Sequence, residues 1–254
     1  MGLVLVTGAS GEVGRGVVPF LERQFELRLL SLDEPQEARQ VCVDLFDWQA
    51  LSRALEGVEA VLHLAVTSGH PGPYEDDAFN DLRFDVNVKG TFHVFEAAHR
   101  AGVRRVVHVS SLMVVWGYGA AATVPGDAPP RPVGTYALTK TLGEEIARHY
   151  ASHGLEVVTL RIAAPLDISD PDLRQRRVRP QQVPFPDLAQ AFSLALTVPL
   201  SGYEVVTIVG DSSRRVWDLG PAHRVLGYVP QYRLDDLGVQ WADPFDVPQR
   251  PPGT

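Results

Sequence analysis

Gly2-Leu3-Val4-Leu5-Val6-Thr7-Gly8-Ala9-Ser10-Gly11-Glu12-Val13-Gly14 is the stretch on which the reading of the fold depends. Its first six residues are almost continuously apolar and have the length of a buried strand. Gly8, Gly11 and Gly14 follow at three-residue intervals, and an amphipathic pattern from about Val13 to Arg23 predicts a helix. Glycines let a backbone turn tightly and approach a phosphate closely, and the next helix N-terminus favours the negative charge. An ordinary strand-to-helix turn can carry the same glycines, so position decides between the two readings. Directly after a first strand and before a helix, the run points to a dinucleotide site built from Gly8, Ser10, Gly11, Glu12, Val13 and Gly14.

Working outward, strands are predicted at 27–32, 41–43, 60–64, 103–110 and 155–161. Helices are predicted between them at about 48–55, 79–100 and 136–153. Residues 68–73, with two glycines and two prolines, read as a loop. Near-continuously apolar strands alternating with helices indicate an α/β fold with a parallel sheet covered on both faces. Ligands in such sheets bind at the carboxyl ends of the strands. From about Asp167 the pattern loosens, with a helix near 188–197, a strand at 203–209, a helix at 217–226 and a proline-rich extended tail at 242–254. The expected organisation is a dinucleotide-binding domain at 1–166, with a small substrate-capping region at 167–254 packed on the same domain.

Composition narrows the partners. The 254 residues are 45% hydrophobic and carry a net charge of −8, which argues against a nucleic-acid partner or a polybasic membrane anchor. The single cysteine, Cys42, excludes an internal disulfide and a metal site of several cysteines. No apolar run approaches the ~20 residues of a membrane span, and the N-terminus leads straight into a strand pattern rather than a signal sequence. The expectation is a cytoplasmic protein acting on a small molecule, with no metal, nucleic acid or membrane partner.

Tyr136 and Lys140 are four residues apart in a chain with only two lysines; chance placement supplies such a pair about 0.06 times. On a helix these positions share a face. A phenol ordinarily ionises near pH 10, and an adjacent cation favours the phenolate, so the pair is suited to moving a proton. Asp33, at the end of the second strand, can hydrogen-bond a ribose hydroxyl and would repel a 2′-phosphate, which favours NAD over NADP. Asp44, after the third strand, can reach an adenine amino group or cap the helix that begins near Trp48. Ser111, at the carboxyl end of a strand, can hold the substrate oxygen on which Tyr136 acts. Asn87 can bond backbone groups in the site or serve the structure alone.

The ordered set resembles the extended short-chain dehydrogenase/reductase family, also called the NAD-dependent epimerase/dehydratase family. It comprises Thr7-Gly8-x-x-Gly11-x-x-Gly14, the acid after strand two, Asp44, His63-Leu64-Ala65, Asn87-Val88-Lys89-Gly90-Thr91, Ser110-Ser111 and Tyr136-x-x-x-Lys140. The resemblance covers roughly residues 3–161 and implies a Rossmann-type doubly wound parallel sheet with a small C-terminal substrate cap. It implies NAD as cofactor, with Leu45, Leu64, Ala65 and Asn87 joining the glycine turn, Asp33 and Asp44 in holding it. Tyr136 becomes the acid/base, Lys140 the holder of the nicotinamide ribose, and Ser111 the residue that positions substrate. It also implies a homodimer formed through two helices per subunit, here about 79–100 and 136–153.

The substrate side departs from familiar members. Dehydratases of nucleotide sugars carry an acidic pair after the serine, where this chain has Leu112-Met113. Nucleotide-sugar epimerases usually read Arg-x-x-Asn after the sixth strand, whereas Arg161-Ile162-Ala163-Ala164 ends in alanine. The small region after Asp167 and the segment Trp217-Asp218 to Leu226-Gly227-Tyr228 are similar to the uronate dehydrogenase branch. Leu112 and Ala164 replace an Asn and a Ser of that branch. Arg174, Arg176, Arg177 and Arg179 can bind a carboxylate or phosphate, although a solvated surface loop explains such a cluster at least as well. Ser68 is a weaker candidate for substrate contact. The leading expectation is an NAD-dependent oxidoreductase acting on a carbinol carbon of a sugar, sugar acid or similar polyol. An NAD-retaining epimerase is the alternative, and a non-catalytic dinucleotide sensor a third.

Overall fold

The computed structural model describes residues 2–67, 75–119, 123–200 and 202–245. Along the chain run β1 (Leu3–Thr7), α1 (Glu12–Leu21), β2 (Leu27–Ser31), β3 (Gln40–Cys42), α2 (Trp48–Ala54) and β4 (Val58–His63). Next come α3 (Asp77–Phe84), a π-helical turn (Asp85–Gly90), α4 (Thr91–Arg100), β5 (Arg105–Ser111), a 3₁₀ helix (Leu112–Tyr118), α5 (Thr135–Ala151) and β6 (Glu156–Ile162). The remainder holds the two-residue strands β7 (Pro165–Leu166), β8 (Arg177–Val178) and β9 (Val183–Pro184), then α6 (Phe185–Thr197), β10 (Tyr203–Ile208), α7 (Gly220–Leu226) and β11 (Gln240–Trp241).

Seven strands form one parallel sheet in the order β10-β6-β5-β4-β1-β2-β3. The chain steps outward one way from β1 through β2 and β3, then returns to place β4 on the other side of β1. The carboxyl ends of β1 and β4 therefore flank the crevice where a doubly wound sheet binds its ligand. Both faces are covered, which is why the central strands are apolar at successive positions rather than alternating ones. On one face, Val17 and Leu21 of α1 and Leu188, Phe192 and Leu196 of α6 pack on Val4, Val6 and Leu160. On the other, Leu51 of α2, Phe95 of α4 and Ala147 and Tyr150 of α5 pack on Leu5, Val61, Val106 and Val157. Each such side chain, fully buried, contributes about 1.5–3 kcal/mol.

Three expectations need correction. The helix expected over 79–100 is a helical path from Asp77 to Arg100 interrupted by the π-turn. The turn lets Gly90 seat against Leu45, where an added Cβ would stand 3.2 Å from Leu45 Cδ1. Trp217 does not begin a helix: it is buried in a bridge to Val124, and α7 starts at Gly220 with Pro221 in its first turn. The boundary at 166/167 does not coincide with the edge of the sheet. β10 pairs with β6 from Tyr203↔Val157 to Ile208↔Ile162, and α6 covers one face, so part of the chain after 167 completes the core of the sheet. A separate small core of Leu166, Leu173, Val178 and Leu234 joins the segments around β8 and residues 234–241. Among the described residues, no helix is long and apolar enough to cross a membrane.

Candidate active site

The three glycines of the β1–α1 turn do different work. Gly8 has φ +67°, and a Cβ there would lie 2.7 Å from the backbone of Ala65. A Cβ on Gly14 would overlap the backbone of Ala9, so this glycine lets α1 close on the turn. A Cβ on Gly11 would meet only the Gly8 carbonyl, at 3.2 Å, and otherwise points into open space. The N-cap residue of α1 is Gly11, which has no side chain to cap the helix. A cradle open at Gly11, before a ten-residue helix with uncapped first-turn amides, fits a dinucleotide pyrophosphate. Ser10, Glu12 and Val13 complete the turn, and Glu12 and Val13 line the adjoining cleft.

Asp33 lies exposed just beyond the end of β2. Asp44 accepts the Phe46 amide at 2.9 Å, while Asp47 is the residue that caps α2, accepting the Ala50 amide at 2.9 Å. Capping is thus not the task of Asp44. Leu45 is buried beside Gly90, and Leu64 and Ala65 follow β4 against the glycine turn.

A hydrogen-bonded chain ties this half of the site to the next. The Ala65 amide donates to Thr7 Oγ1 at 3.3 Å, and Thr7 Oγ1 lies 2.7 Å from His63 Nδ1. His63 Nε2 lies 3.0 Å from Thr91 Oγ1, which donates to the Asn87 carbonyl at 2.7 Å. Thr91 spends its only hydroxyl hydrogen on Asn87, so His63 Nε2 must donate, and Nδ1 must accept from Thr7. Burial keeps His63 neutral, with its pKa pulled down to about 3. The Asn87 side chain clamps backbone, accepting the Thr67 amide at 2.8 Å and donating to the Thr67 carbonyl at 3.0 Å. It also donates to Thr139 Oγ1 at 3.1 Å, and Thr139 donates to the Tyr136 carbonyl at 2.8 Å.

Ser111 closes β5 and starts the 3₁₀ helix. Its Oγ accepts the Met113 amide at 3.2 Å, which leaves its O–H able to donate outward. Tyr136 is in the first turn of α5, with the buried guanidinium of Arg83 6.0 Å from its ring centre. One turn on, Lys140 is buried and donates to the Val109 carbonyl at 2.6 Å. Burial pulls its pKa down to about 8, against the opposing pull of Glu144. Glu144 pairs with the guanidinium of Arg161 at 2.6 Å and accepts from Ser110 Oγ at 2.6 Å, all three buried.

These residues meet in a cavity of about 320 Å³. Glu12, Val13 and Leu64 line it from the first half of the sheet, and Ser111, Tyr136 and Lys140 from the second. Leu112, Met113 and Trp116 of the 3₁₀ helix form an apolar wall, with Ala163–Pro165 beyond β6. The arginine cluster divides. Arg179 lines the cavity with Gln181 and Gln182, whereas Arg174, Arg176 and Arg177 are exposed and Arg176 pairs with Asp170 at 2.7 Å. Trp116 and Gln181 carried no signal in the sequence, because tertiary contacts bring them to the cavity. Ser68 lies outside the described residues. Among the described residues, no group of three or more His, Cys, Asp or Glu could hold a metal ion.

A glycine cradle and, around the cavity beside it, a Ser-Tyr-Lys set define a dinucleotide-dependent enzyme. Residues 4–180 match the NAD dependent epimerase/dehydratase family, and the chain belongs to that family. It is 35% identical to a uronate dehydrogenase of Pseudomonas syringae pv. tomato over 90% of this chain and 81% of that protein. It is 32% identical to the L-arabinose 1-dehydrogenase (NAD(P)(+)) of Haloferax volcanii over 91% of this chain and 97% of that protein. A mutant uronate dehydrogenase from Agrobacterium tumefaciens, crystallised with NAD, superimposes with a TM-score of 0.79. That match is 26% identical and covers 93% of this chain and 87% of the other.

Proposed function

We propose that the protein is an NAD-dependent dehydrogenase that oxidises a carbinol carbon of a sugar acid or a closely related sugar. The observation that carries this reading is the meeting of Ser111, Tyr136 and Lys140 in one cavity with Glu12 and Val13 of the glycine turn. The dehydrogenase names of the relatives at 35% and 32% identity support it.

In this reading the Ser111 hydroxyl donates to the substrate oxygen, and the Tyr136 oxygen takes the hydroxyl proton. The Lys140 cation, one helical turn away, favours the phenolate that makes Tyr136 a base. Bound NAD supplies the acceptor for the hydride leaving the same carbon. The glycine turn and α1 hold its pyrophosphate, and Lys140 holds its nicotinamide ribose. The exposed Asp33 carboxylate bonds the adenosine ribose and repels a 2′-phosphate. Asp44, Leu45, Leu64 and Ala65 line the cofactor, and Asn87 fixes the backbone beside it. Arg179 faces the same cavity with no ion-pair partner among the described residues, and it receives the substrate carboxylate. Residues 167–184 and 209–245 act as the cap over the substrate. A second copy of the chain covers the apolar stripe of Phe84, Phe92 and Leu138, each about two-fifths or more exposed.

The test is a screen for NADH formation across uronic acids, aldoses and aldose phosphates, run in parallel with NADP. NADH from uronic acids is expected. Tightly retained NAD and an epimerised sugar, with no net NADH, would replace the dehydrogenase with an epimerase.

A further inference from the structure

Gln181 is a buried amide with only one of its two polar ends in use. It sits in the turn between β8 and β9, 2% exposed, and lines the same cavity as Ser111 and Tyr136. Its Nε2 donates to the Pro244 carbonyl at 2.7 Å. That bond fixes the amide, because a flipped side chain would set Oε1 against the Pro244 carbonyl, acceptor to acceptor. Oε1 is left buried with no hydrogen-bond partner among the described residues. The neighbouring Gln182 differs: its Oε1 accepts the Arg179 amide at 2.9 Å and its Nε2 donates to the Pro165 carbonyl at 3.3 Å. Gln182 is fully used in holding the turn, and Gln181 is not. Buried acceptors are nearly always satisfied, so an unpartnered one on a side chain that lines a cavity points to a donor supplied by a ligand.

We infer that Gln181 Oε1 is a specificity-determining acceptor for a substrate hydroxyl, aimed by the C-terminal segment through Pro244. The inference rests on the dehydrogenase reading above. The same segment braces the neighbouring cavity residues. β11 pairs with β8, and the Ala242 amide donates to the Val178 carbonyl at 2.9 Å, immediately before Arg179. The Phe245 ring packs 5.3 Å from that of Trp116. Residues 240–245 thus hold both the turn that carries Arg179 and Gln181 and the distant Trp116. A cation and a fixed hydroxyl acceptor together suit a hydroxylated acid. A substrate lacking that hydroxyl would leave Oε1 bare, which is how polar sites discriminate strongly.

The test compares wild type, Gln181→Met and Gln181→Leu with D-glucuronate, D-galacturonate and their monodeoxy analogues, and measures NAD affinity alongside. One deoxy analogue is expected to lose about ten-fold in kcat/KM with wild type, the worth of one hydrogen bond. Gln181→Met is expected to raise KM for the parent sugar by a similar factor, leave NAD affinity unchanged and no longer distinguish that analogue. Gln181→Leu likewise has no acceptor and is expected to behave as the Met variant; it decides the matter alone if the Met variant does not fold. Discrimination by Gln181→Met or Gln181→Leu equal to that of wild type would overturn the role of Gln181 while leaving the dehydrogenase reading intact. No NADH from wild type with either uronate would instead overturn the sugar-acid reading, and this role with it.

Discussion

Lys140 on α5 donates to the carbonyl of Val109 on β5 at 2.6 Å, two residues before Ser111. The bond joins the helix that carries Tyr136 and Lys140 to the strand that ends in Ser111. It also holds the ammonium in a buried setting, where its pKa falls to about 8.

That depression makes stability depend on pH in a defined window. Between about pH 8 and 10.5 the unfolded chain holds a proton that folded Lys140 has released, so stability rises as pH rises. The full effect is about 3 kcal/mol. Comparing denaturant midpoints for wild type and Lys140→Met from pH 7 to 10 should show this rise in wild type only. Parallel curves would refute the buried, charge-penalised lysine.

Tyr136→Phe should bind NAD nearly as wild type does and lose about 10²–10⁴-fold in turnover, the usual worth of a positioned acid/base. The two measurements are cofactor titration and steady-state NADH formation. Turnover like that of wild type would remove Tyr136 from the proposed chemistry.

Asp33→Ser removes the carboxylate expected to repel a 2′-phosphate. The ratio of kcat/KM for NADP to that for NAD should rise about ten-fold or more. An unchanged ratio would mean that the exposed carboxylate does not contact the adenosine ribose.

His63 stays neutral when folded, with a pKa of about 3, but protonates below about pH 6.5 once the chain unfolds. Its contribution is therefore intact above pH 6.5 and lost progressively as pH falls toward 3. His63→Phe should flatten this acid limb, with a residual slope from His108, which burial also holds neutral. At pH 7 the variant should be less stable by about 1–3 kcal/mol, because Thr7 and Thr91 lose their partner. Urea titrations at pH 4 and pH 7 separate the two effects.

Phe92→Glu places a charge in the middle of the exposed apolar stripe on α3–α5. Sedimentation should show a dimer for wild type and a monomer for the variant. A monomeric wild type would disprove the proposed second-copy contact.

Much of this was legible in the sequence, for reasons that differ by element. The β1–α1 turn could be read because its glycines are needed for local backbone reasons, at Gly8 and Gly14. The Tyr136–Lys140 pair could be read because helical spacing alone brings the two to one face. The π-turn could not, because six residues of widened helix leave the apolar periodicity almost unchanged. The strands β7, β8, β9 and β11 have two residues each, too few to show a period of two. Asp44 and Asp47 are both suitable caps by type, and only the observed amide partners separate them. Arg179 was one of four similar arginines until the fold turned it inward. Gln181 gained its character from a carbonyl sixty-three residues away.

The pairing of β10 with β6 also sets where the molecule can be cut. Removing residues from 203 onward would bare seven-residue β6 as an open edge, leaving its backbone groups on the β10 side without partners, a template for aggregation. A fragment of the first 166 residues would keep Gly8, Gly11, Gly14, Ser111, Tyr136 and Lys140 but expose that edge. Chimaeras that exchange the proposed cap with a relative should keep α6 and β10 with the sheet. Their seams belong in the loops on either side of that pair, at about 167–184 and after 209.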